Sequence, residues 1–185
     1  SEEVPKGYLD QIKILLKKPK VIALGEIGLD YFKNISDKKI QKNIFREQLE
    51  LAQEINVPIV FHNRDSDNDI IDTLSKFPDI IGVAHCFSSS YEVAKKLIDM
   101  GFYISFSGNL TFKNSHLPDV AKKLPLNKIL VETDSPFLSP VPHRGRVNEP
   151  GRTRFVAELL AKLHGSTINQ IASITTNNAT NLFNL

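Results

Sequence analysis

The chain has 185 residues, 41% of them hydrophobic and 24% charged, a balance that supports one globular domain with a sizeable core. The formal net charge of +2 is too small to hold a polyanion by bulk electrostatics, so nucleic-acid binding requires a local patch or an ion. The one cysteine, Cys86, excludes an internal disulfide and fits a reducing compartment, and no apolar run approaches the ~20 residues of a membrane helix.

In chain order, Leu9, Ile12, Leu15 and Leu16 recur at helical spacing over 8–18, and Pro19 ends that helix. Val21 to Leu24 reads as a buried strand, followed by Gly25-Glu26-Ile27-Gly28. Ser36 is placed to cap a long helix reaching about Asn56, with Ile40, Ile44, Leu51 and Ile55 on one stripe. Ile59 to Phe61 is the next strand and ends in His62-Asn63-Arg64-Asp65. Ser66 caps a helix that Pro78 stops. Ile80 to Ala84 is a strand ending in His85-Cys86. Ser90 starts a helix with Gly101 just past its end, where glycine favours a left-handed turn. Phe102 to Phe106 and Ile129 to Val131 are the last two strands. Helices over 151–164 and 167–183 close the chain. Apolar strands alternating with amphipathic helices predict a parallel sheet in an α/β domain.

Four strand ends carry residues able to hold a metal: Glu26, His62, His85 and Asp134. In parallel α/β architecture all strand C-termini lie on one side, so these side chains can converge. Two imidazoles with two carboxylates suit Zn, Mn, Fe or Co, and such a set can activate water and polarise a phosphoryl or carbonyl oxygen. Taken singly, each has an ordinary reading: a histidine satisfied by local hydrogen bonds, a capping glutamate, an Asx-turn aspartate. Recurrence at equivalent ends of successive units favours a shared site. Cys86 reads as a small buried hydrophobe, and His116 and His164 as solvated residues. After Asp134, four prolines between Pro136 and Pro150 stiffen a loop bearing His143, Arg144 and Arg146.

Five stretches resemble the TatD-type metal-dependent deoxyribonucleases, within the amidohydrolase-like barrels. They are ALGEIGLDYF (23–32), PIVFHNRD (58–65), GVAHCFS (82–88), GFYISFSG (101–108) and VETDSPFLSPVPHRGRVNEP (131–150). The resemblance implies a TIM-type (β/α)8 barrel, of which this chain carries about five C-terminal β/α units in one catalytic domain over 1–185. It implies two divalent ions (Zn, Mn or Mg), with Glu26 bridging them, His62 and His85 on the second, and Asp134 on the first and acting as base. Arg64, His143 and Arg144 fall at positions lining the substrate cleft.

Members of this family begin with a strand bearing His-x-His, and this sequence has none. The chain is therefore expected to be an N-terminally truncated member that holds one ion at most, with open sheet edges that favour association. The implied function is hydrolysis of DNA phosphodiesters, as a cytoplasmic 3'-5' exonuclease without a membrane partner. The alternatives are another metal-dependent amidohydrolase, acting on a small molecule or an aminoacyl-tRNA ester, and a non-catalytic fragment.

Overall fold

A computed structural model describes residues 4–32 and 36–185. Helix α1 (Tyr8–Leu16) is followed by five strand–helix units. Strands β1 (Leu24–Asp30), β2 (Ile59–Arg64), β3 (Gly82–Ala84), β4 (Tyr103–Phe106) and β5 (Ile129–Val131) alternate with α2 (Lys38–Ile55), α3 (Asp67–Leu74), α4 (Tyr91–Asp99) and α5 (Leu117–Ala121). Helices α6 (Thr153–Leu163) and α7 (Ile168–Phe183) complete the chain. All strand pairings are parallel, and the order across the sheet is β1-β2-β3-β4-β5. A doubly wound sheet reverses its strand order at a switch point; this one never does, which is the order of a (β/α) barrel.

Strand β1 differs from its expected bounds. Val21 and Ile22 are each 39% exposed and precede the strand, whereas the glycine-rich stretch expected to follow the strand is the strand itself. The glycines permit close approach: a Cβ on Gly28, where φ is +132°, would lie 2.1 Å from the His62 carbonyl oxygen. The pairing with β2 shifts register between Gly25 and Ile27, which leaves Glu26 as the extra residue. Such a bulge re-aims side chains at a sheet end. Capping differs too. Asp37, not Ser36, accepts the Lys39 N–H at the start of α2. Ser66 occupies the N-cap of α3 but donates its hydroxyl to Leu29 O and Asn63 Oδ1.

The two sheet faces have different chemistry because strand residues alternate. In β2, Ile59, Phe61 and Asn63 are buried while Val60, His62 and Arg64 are half-buried. The buried row joins the main core with Phe45 and Leu49 of α2, Leu97 of α4 and Leu160 of α6. Phe61 meets Phe102 edge-to-face at 5.4 Å. A second cluster joins Val83 and Leu130 to Leu182, with Val60, Tyr103 and Phe183 against it. Asn178 on α7 donates to both Leu126 O and Ile129 O at 2.8 Å, fixing that helix to the start of β5. The polar row continues toward the strand C-termini as His62, His85 and Glu132.

Candidate metal centre

Four of the expected residues come together. Glu26 Oε1 lies 3.1 Å from His62 Nδ1 and 4.0 Å from His85 Nε2, and His85 Nε2 lies 3.1 Å from Asp134 Oδ1. The four side chains line one cleft of about 570 Å³. Two donors bound ~2.1 Å from one tetrahedral ion sit roughly 3.4 Å apart, and the two 3.1 Å separations lie close to that spacing.

Each imidazole is held from behind by a second carboxylate. His85 Nδ1 lies 2.9 Å from Glu132 Oε1, and that oxygen also accepts the Cys86 N–H at 2.7 Å. The other oxygen, Glu132 Oε2, accepts the Ser105 hydroxyl at 2.8 Å. His62 Nε2 lies 3.2 Å from Asp30 Oδ2, while Asp30 Oδ1 accepts the Phe32 N–H. A carboxylate behind a histidine fixes its tautomer and ring orientation in metal sites. His85, Glu132 and Asp134 also place one donor atom each within 4.8 Å of the others. Both oxygens of Glu132 are already engaged, the arrangement of a group that orients the imidazole.

One atom tests the fit to a cation. Asp134 Oδ1 is buried and has no hydrogen-bond partner among the described residues. Its 3.1 Å approach to His85 Nε2 meets the distance of an ion pair but not the direction of a hydrogen bond. A buried carboxylate oxygen without a donor is costly, and a divalent ion is the partner that its surroundings suit. The mixed nitrogen and oxygen donors fit Zn or Mn chemistry.

The charges reinforce one another. The Asp134 carboxylate close by, then Glu132, raises the His85 pKa from 6.5 to about 10. The bond to Glu26 raises His62 against the opposing effect of burial. His62 in turn holds the Glu26 carboxyl below its ordinary value, and His85 does so for Asp134. Burial pushes the Cys86 thiol far up, consistent with an inert side chain. Its Sγ lies 3.0 Å from Ser107 Oγ.

The remaining expectations divide. Arg64 lines the cleft, with its guanidinium 3.8 Å from the centre of the Phe32 ring. His143 and Arg144 are not among the lining residues. His143 packs on Phe155 at 4.9 Å, and Arg144 lies 3.6 Å over Phe112 and donates to Ser139 O. His116 is exposed, whereas the half-buried His164 pairs with Ala121 O at 3.1 Å. The orienting roles of Glu132 and Asp30 were missed. The available signal was position: Glu132 directly follows the apolar run Ile129 to Val131, two residues before Asp134.

Comparison with known proteins places this geometry among relatives. The family model for TatD-related DNase matches residues 1–184. The chain is 48% identical to the metal-dependent hydrolase YabD of Bacillus subtilis, over 94% of this chain and 69% of that protein. It is 32% identical to the 3'-5' ssDNA/RNA exonuclease TatD of Salmonella typhimurium, over 94% of this chain and 70% of that protein. The crystal structure of the TatD homologue YjjV from Escherichia coli superposes with a TM-score of 0.93 at 31% identity, covering 98% of this chain and 72% of that one. The expectation of a truncated N-terminus, drawn from the missing His-x-His and the count of five strands, is not confirmed by these matches.

Proposed function

This chain belongs to the TatD-related DNase family, and from that premise we propose that it is a metal-dependent hydrolase that cleaves single-stranded DNA phosphodiesters from the 3' end. The observation that carries this reading is the buried, donor-free Asp134 Oδ1 beside His85 Nε2. The polarity and the single-stranded substrate follow the Salmonella relative's activity.

In this reading Glu26, His62, His85 and Asp134 hold the metal. A divalent ion in this set supplies Lewis-acid polarisation of a phosphoryl oxygen and a water of lowered pKa. Asp134 accepts the proton of the attacking water as the water oxygen bonds to phosphorus and the ester P–O bond breaks, and the leaving oxygen takes a proton from solvent. Arg64 binds a phosphate oxygen at the cleft wall; its planar fork matches phosphate geometry. Glu132 and Asp30 keep the two imidazoles aimed. The small net charge leaves ion and Arg64 as the main phosphate-binding elements.

The test is metal binding and turnover together. The 185-residue chain is titrated with Mn or Zn by calorimetry and assayed on single-stranded DNA, beside His62→Ala. The expected result is ion binding and nucleotide release, both reduced at least tenfold by the substitution. Ion binding without turnover on any nucleic acid would overturn the nuclease reading and leave a metal-binding protein.

A further inference from the structure

The cleft carries one phenyl ring among its described lining residues, that of Phe137, and Phe137 is 71% exposed. An exposed phenyl ring is ordinary on a mobile loop. This loop is fastened at every turn. The Phe137 N–H donates to Asp134 O at 2.6 Å. Asn148, only 4% exposed, gives its N–H to Pro136 O at 2.9 Å and its side-chain amide to Phe137 O at 2.8 Å. The next residue, Leu138, has φ +51°, and its carbonyl oxygen would lie 1.9 Å from a Cβ on Gly108. The backbone is thus clamped on both sides while the ring is left in solvent, three residues from Asp134.

An exposed aromatic ring on a clamped backbone at the edge of a phosphate-binding cleft matches how proteins hold single-stranded nucleic acid. Bases stack on aromatic side chains while cations and metals track the backbone, and every base offers a face. A base inside a duplex already has its neighbours and is not free to stack on protein. We infer that Phe137 is the stacking platform for the unpaired nucleobase next to the phosphodiester being cut, and so selects single strands over duplex. This rests on the nuclease reading above and adds the base-contacting residue. Asp134 and Phe137 share one turn, so the same stretch of backbone carries the group beside the reacting phosphate and the ring under the base.

The experiment separates the base from the backbone. A fluorescein-labelled, phosphorothioate-linked single-stranded dT octamer and the same octamer with abasic sites are bound in Mn by anisotropy, using wild type, Phe137→Ala and Phe137→Trp. Wild type is expected to favour the base-bearing strand by roughly 5- to 150-fold, the range of one stacked base. Phe137→Ala collapses that ratio toward one with abasic binding unchanged, and Phe137→Trp retains it. An unchanged ratio in Phe137→Ala, or no preference in wild type, overturns the inference. Turnover of an ordinary dT octamer, measured in parallel, distinguishes the two failures. Turnover with an unchanged ratio removes the stacking role alone; neither binding nor turnover removes the nuclease reading and the stacking role with it.

Discussion

His85 sits between two carboxylates, and its proton is the first thing a metal must displace. In the metal-free chain its pKa is raised from 6.5 to about 10. The sign follows: the folded form holds a proton that the unfolded form loses near 6.5, so the stabilisation is full below pH 6.5 and is lost as pH rises through about 10. His62, also raised, acts in the same direction. Glu26 and Asp134, both lowered, contribute above the ordinary carboxylate range and lose their contribution in acid. Thermal melts in chelator are therefore expected to fall between pH 6.5 and 10, with a smaller fall for Glu132→Gln. Ligation needs neutral imidazole, so saturating Zn reverses the trend over the same interval. A flat profile in chelator would show that His85 is not held protonated by its neighbours. At this scale the sequence was informative where chemistry is rare. An imidazole after an apolar run is conspicuous, and His62 and His85 were legible. A second glutamate just past a three-residue strand has no such contrast, so Glu132 was not. His143 and Arg144 read as cleft residues by family resemblance, but contacts with Phe155 and Phe112 draw them elsewhere.

Among the elements, β1 is held against β2 by the absence of side chains. Gly28→Ala would put a methyl 2.1 Å from a backbone oxygen at a φ that alanine resists. Strain and overpacking together predict a loss of about 2–4 kcal/mol. They also predict weaker metal binding, because the displaced strands carry Glu26 and His62. Gly151→Ala, with nothing within 4 Å, is the control and is expected to melt like wild type. Equal melting temperatures for the two variants would mean that β1 can shift without cost. The same glycines explain why β1 was placed too early from sequence. Glycine signals a turn unless a neighbouring backbone occupies the space of its missing Cβ, and that neighbour lies 35 residues away in the register pair Leu24–Ile59. The remaining strands and the long helices were legible from apolar runs and helical stripes, since burial follows them closely.

For the whole molecule, α7 matters more than its polar sequence suggests. Asn178→Leu removes two donors from Leu126 O and Ile129 O in a buried position. Leaving those carbonyls unpaired predicts a loss of about 1–3 kcal/mol, read as a lower urea midpoint at unchanged slope. An unchanged midpoint would show that water reaches both carbonyls. Asparagine on a helix has no periodic signature, so this tie between the chain's last helix and its last strand was illegible beforehand. The order of the sheet was not: five βα units in sequence admit a simple arc, and the strands adopt it. That arc has a kinetic consequence. Every strand pairs only with the strand before or after it, so no pairing closes a loop longer than one helix and its turns. The entropy of ordering is met one unit at a time, and structure can begin at any neighbouring pair and spread in both directions, without waiting for distant ends to meet.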